Sequence, residues 1–159
     1  MKHSIEVGLS FGLTSGVITT LGLMVGVYSG TQSTVAVIAS VLTIAVADAM
    51  SDALGIHIAE ESENVHTAKE VWVATLTTFF AKFIVSSTFL IPLFLMELKS
   101  AVLVNIGWGT LLMIVYNYFV GKKQEQSTWS VIFEHLFIAF IVVIFTYYIG
   151  IWVNEFVVE

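Results

Sequence analysis

Cysteine and arginine are absent, proline occurs once, and only 11% of the 159 residues are charged. Without cysteine there are no disulfides and no thiolate metal sites. Without arginine, orientation across a membrane has to be read from six lysines. A phosphate loop, a dinucleotide glycine pattern and a zinc-protease helix are also missing. Ser15 precedes a glycine but has no G-x-S-x-G frame, so a serine hydrolase is not expected either. Neither enzymatic chemistry nor a nucleic-acid partner is expected. What fills the chain instead is apolar: 57% of residues are hydrophobic, well above the roughly 45–50% of a soluble domain.

Five apolar stretches, about 5–28, 35–62, 71–96, 101–120 and 128–153, each reach the roughly 20 residues that cross a hydrocarbon core as a helix. The expected fold is an all-α integral membrane protein with one five-helix domain over residues 1–159. The first stretch follows Lys2 and His3, but it is too long for a signal core, is broken by glycines and lacks a small-x-small cleavage site. It is therefore read as a transmembrane helix. Lys2, Lys69, Lys122 and Lys123 fall on one side and Lys99 on the other, which puts the N-terminus inside and the C-terminus outside. A prokaryotic inner membrane is the simplest home. Glu60, Glu61, Glu63 and Glu70 make the inner loop between helices two and three acidic. That loop either gathers cations or is a solvated turn.

Asp48 and Asp52 carry the sharpest signal, because both lie inside the second apolar stretch. A charge near the bilayer centre costs at least about 2.5 kcal/mol, so such residues face a cavity, a partner or a passing ion. At 100° per residue, Asp48, Asp52, Gly55, Ala59, Ser62, Glu63 and His66 share one face, and His57 points the other way as a structural or headgroup-level histidine. Lys82 on helix three lies roughly 16 Å from the inner boundary and Asp48 roughly 18 Å, at 1.5 Å per residue. The lysine is thus either half of a static buried ion pair or a counter-charge that a cation or proton displaces. Glu134 and His135 on helix five lie near the level of Asp52 and form a possible proton relay. Pro92 predicts a kink in helix three. Gly8, Gly12 and Gly16, then Gly22, Gly26 and Gly30, recur every four residues on helix one. This small-residue stripe marks close packing, against another helix of the chain or against its twin across a two-fold axis.

In FGLTSGVITTLGLMVGV (11–27), ADAMSDALGIHIAEESE (47–63), FLIPLF (89–94), FVGKKQEQSTW (119–129) and YYIGIWV (147–153), the chain resembles the vacuolar iron transporter family. The resemblance implies a five-helix homodimer, packed through helix one, that exports ferrous or manganous ions from the cytosol in exchange for protons. This chain departs from the family pattern at three positions. Ser15 stands where the family has an aspartate, Asp52 where it has a methionine, and Ile56 where it has an acidic residue. The separate cytosolic metal-binding domain that some members insert between helices two and three is also missing. Exchanging a thioether for a carboxylate hardens the site towards manganese, magnesium or calcium.

The leading expectation is a homodimeric exporter of an Fe2+- or Mn2+-class ion, with no permanently bound cofactor. Asp48, Asp52 and Ser15 would bind the ion, Glu63 and His66 would collect it, and Lys82 would bias the empty state. One alternative is a carrier of a proton, monovalent or organic cation with Lys82 paired to the aspartates. Another is a non-transporting scaffold with a structural Asp–Lys pair.

Overall fold

The computed structural model describes residues 1–123 and 127–157. Residues 124–126, inside the 119–129 motif, lie outside this range. Five long apolar helices account for almost all of the described chain: α1 (Lys2–Thr31), α2 (Thr34–Ser62), α3 (Ala68–Leu95), α4 (Leu98–Lys122) and α5 (Thr128–Val157). No strand occurs among the described residues. Each expected span is present and extends by up to four residues at its ends. Large apolar side chains cover the outside, including Phe133, Phe137, Phe140 and Trp152 of α5. A soluble monomer rarely shows such a continuous apolar surface, whereas lipid requires one. The protein is an integral membrane protein.

Local chemistry sets the helix ends. α1 stops where Gln32 enters the left-handed region (φ 50°) and its N–H donates to the Tyr28 carbonyl, closing the last turn. Ser33 caps α2 by accepting from the Ala36 N–H at 3.3 Å. Thr67 and Glu70 form a reciprocal capping box that starts α3.

α1 is the hub, packing against the other four helices. Its glycines explain how. A Cβ on Gly8 would lie 2.6 Å from the Ala74 carbonyl oxygen, one on Gly12 2.6 Å from that of Thr78, and one on Gly16 3.3 Å from Lys82 Cγ. The series continues to a buried hydrogen bond from Thr20 to Ser86 at 2.9 Å. Residue numbers rise together on both helices, so α1 and α3 run parallel and in close backbone contact. The second half of the stripe meets α5 in the same way, Gly22 against Val142, Gly26 against Thr146 and Gly30 against Gly150. All six glycines of the stripe therefore pack inside the protomer. The twin-helix contact that the resemblance implies for Gly8, Gly12, Gly16, Gly22 and Gly26 is not what these residues make, because α3 and α5 already occupy their faces.

Helix three breaks as Pro92 predicts, at Phe89, where the N–H turns to the Ser86 carbonyl (3.2 Å). Beside the break, the buried Asn105 of α4 donates to the Phe89 carbonyl at 2.9 Å and ties α4 to α3 there. Helix two departs from regularity without any proline: Ile44–Asp48 form a single π-helical turn. Its buried residues, Val37, Val41, Ala45, Ala49 and Ala53, recur at intervals of four. In an unbroken α-helix that row would swing roughly 160° around the axis, at 100° per residue. The wide turn takes back part of the swing and keeps the row against its neighbours.

Replacing Gly12 by Ala is expected to destabilise the protein by about 1–3 kcal/mol, through a clash with backbone that cannot move away. Gly107→Ala, where nothing lies within 4 Å, is expected to change stability by no more than about 0.5 kcal/mol. Unfolding in detergent micelles, followed by circular dichroism, measures both.

Candidate functional site

Three helices converge on Lys82. The α1–α3 glycine ladder brings Gly16 against the lysine stem, which sets the neighbouring Ser15 beside its head. The π turn of α2 ends at Asp48, and Asp52 follows one turn later. Lys82 is completely buried. Its Nζ donates to Asp52 Oδ2 at 2.5 Å and to Ser15 Oγ at 2.9 Å, and Ser15 Oγ donates in turn to Asp52 Oδ2 at 2.6 Å. Asp48 Oδ2 is equally close to Nζ, at 2.5 Å, but makes no hydrogen bond, so its attraction is purely that of charge.

Two features of this cluster bear on chemistry. With all groups ionised, two carboxylates face one ammonium and leave one negative charge uncompensated. The burial is also lopsided: Lys82 is sealed, whereas the side chain of Asp48 is 32% exposed and that of Asp52 19%. The surplus charge therefore sits on the accessible side. Asp48 is thus the charged member of the cluster least covered by the protomer's own packing.

Below Asp52 the expected polar stripe leaves the protomer interior. Ser51, Gly55, Ala59 and Ser62 are exposed and face outwards, not into a channel between helices. His57, on the other side, accepts or donates at 3.0 Å to Thr75 of α3 and lies edge-on to Trp72, which makes it a structural tie between α2 and α3. At the end of the bundle where α1 begins, His66 Nε2 lies 3.3 Å from the exposed Glu63 and 3.6 Å from the buried Glu60. The ring of His3 stacks on that of His66 at 5.7 Å.

Glu134 and His135 do not join the aspartates. α5 packs on α1 and α4, away from α2. Glu134 is exposed, and His135 donates Nδ1–H to the carbonyl of Val131 in its own helix at 2.8 Å. The level along the membrane suggested a relay, but the direction around the bundle separates them. The sequence reading missed Glu60, His3 and the π turn. Glu60 is seven residues after Ala53 in the buried row of α2, the one available signal that it faces inwards; the π turn has no proline or glycine to announce it. No protein family, curated protein or solved structure compared with this chain matches it.

Lys82→Met leaves two carboxylates without their counter-charge and is expected to lower stability by about 3 kcal/mol, as for a broken buried pair. Adding Asp52→Asn should recover part of the loss. Chemical unfolding of the three proteins in the same micelle measures this, and equal stability of Lys82→Met and the parent would contradict the pairing.

Proposed function

We propose that this protein is a membrane cation transporter in which Lys82 is the resident counter-charge of Asp48 and Asp52. The observation that carries this reading is the surplus carboxylate. A structural ion pair needs one aspartate, and a second charge at this depth costs at least about 2.5 kcal/mol without adding a bond to Lys82 that Asp52 lacks. One proton or one monovalent cation is the smallest species that neutralises the remainder. Asp48, the more exposed of the two aspartates, is the carboxylate a mobile cation or proton would meet first. Ser15, hydrogen-bonded to both Lys82 and Asp52, holds the two in register while Asp48 exchanges.

Export of an iron- or manganese-class dication against protons, as in the vacuolar iron transporters that the sequence resembles, is the second reading. It requires Lys82 to withdraw when the metal enters, because both Oδ2 atoms now face the ammonium. What favours it is the grouping of imidazole and carboxylate at the α1 end of the bundle, a donor set suited to first-row metals. An N-terminus inside the cell would make that end the entry.

A two-fold dimer belongs to the same proposal. Its contact lies on α2, where Ala47, Ser51, Gly55 and Ala59 form an exposed small-residue row beside the aspartates. The partner would then cover the open side of the site. The absence of cysteine makes Gly55→Cys a single-thiol probe. Oxidation in the membrane should yield covalent dimers, while a cysteine at the exposed Phe133 of α5 should yield none.

Transport is tested with purified protein in vesicles carrying an internal pH indicator, with and without Mn2+ outside. The parent protein should move protons or exchange them for metal, and the double variant Asp48→Asn, Asp52→Asn should fall to the rate of empty vesicles. Equal flux in the two would remove the aspartates from the mechanism.

A further inference from the structure

We infer that His3, Glu60 and His66 form a binding site for a divalent first-row transition metal at the end of the bundle where α1 begins. The three come from separate elements: the first turn of α1, the last turn of α2 and the α2–α3 connection. One donor atom of each lies within 4.8 Å of the others. Two donors on one ion, each at about 2.1 Å, can be at most about 4.2 Å apart. Three donors set tetrahedrally lie about 3.4 Å apart, so the set closes by a shift of somewhat more than an ångström, which a rotation of the exposed His3 side chain supplies.

Glu60 is the reason to read this as a site and not as a chance cluster of surface groups. Its side chain is 7% exposed, and its Oε2 has no hydrogen-bond donor. A buried carboxylate oxygen without a donor is costly, and a cation bound there would remove the cost. The nearest positive candidate is His66 Nε2, 3.6 Å away and beyond hydrogen-bonding reach. Glu63 faces the same nitrogen at 3.3 Å. An ion would take the place of the proton between them and would have Glu63 within reach as a further donor.

Two imidazoles and a carboxylate, with no sulfur, select first-row dications over soft monovalent metals and over Mg2+ or Ca2+, which prefer all-oxygen sets. Three protein donors leave positions for water, so the ion exchanges instead of being locked in. As the entry of a transport path the site rests on the reading above. As a binding site it stands on its own donors.

Co2+ titration of the purified full-length protein, read by visible absorption and by competition with Zn2+, tests it. One saturable ion per chain is expected. Glu60→Gln, His66→Gln and His3→Gln should each weaken it at least about tenfold, and Glu61→Gln should not. The double variant Asp48→Asn, Asp52→Asn should keep the Co2+ ion whose affinity depends on Glu60 even if its flux is gone, which separates this site from the transport reading. Absence of saturable binding in the parent would overturn the assignment, and so would unchanged affinity in Glu60→Gln or His66→Gln. If either of these loses its helical circular dichroism, His3→Gln decides, since that side chain is exposed and its loss removes only the ring contact with His66.

Discussion

A fully buried ammonium in a membrane protein cannot be left alone, and the arrangement around Lys82 answers that constraint. Water is not available to it, so the charge has to be met by groups of the protein itself. Three helices supply them: Ser15 from α1, Asp48 and Asp52 from α2, with Lys82 itself on α3. The positions of these helices are thereby coupled, because moving any one of them uncovers a charge. A site that holds three charges together in hydrocarbon is also one whose balance a single mobile charge can tip.

Close approach of the helices makes the cluster possible. Lipid gives no hydrophobic drive for helix association, so the contact has to come from packing and from short polar bonds. The glycine face of α1 lets the α3 backbone approach until Gly16 touches the Lys82 stem. A larger residue there would displace the Lys82 stem and disturb the bonds its head makes to Ser15 and Asp52. On α2 the π turn does the complementary work, keeping the small buried row against its neighbours while Asp48 is presented at the end of the turn. At the break in α3, Asn105 of α4 bonds the Phe89 carbonyl and links the two helices.

Much of this was legible from composition and counting. Five spans follow from the length of the apolar runs, and the matched depth of Lys82 and Asp48 follows from the fixed rise of a helix. The break near Pro92 follows from its missing N–H. The relay of Glu134 and His135 was misread because depth is only one coordinate; which neighbour a helix faces depends on how the bundle is wound. The polar stripe of α2 was placed on one face correctly, yet that face below Asp52 looks outwards, which no periodicity reports. Glu60 was grouped with its exposed acidic neighbours, although its side chain turns inwards towards His66.

By itself the sequence determined the solvent of this protein, the number of its crossings and the presence of three charges at one level, since these depend on local composition and on the rise per residue. Only the tertiary structure decided that the glycines of α1 serve α3 and α5, that Lys82 meets both aspartates, and that His3 joins Glu60 and His66. These depend on rotation of whole helices about their axes. In a bundle whose helices are apolar on every side, no amphipathic pattern specifies that rotation in advance.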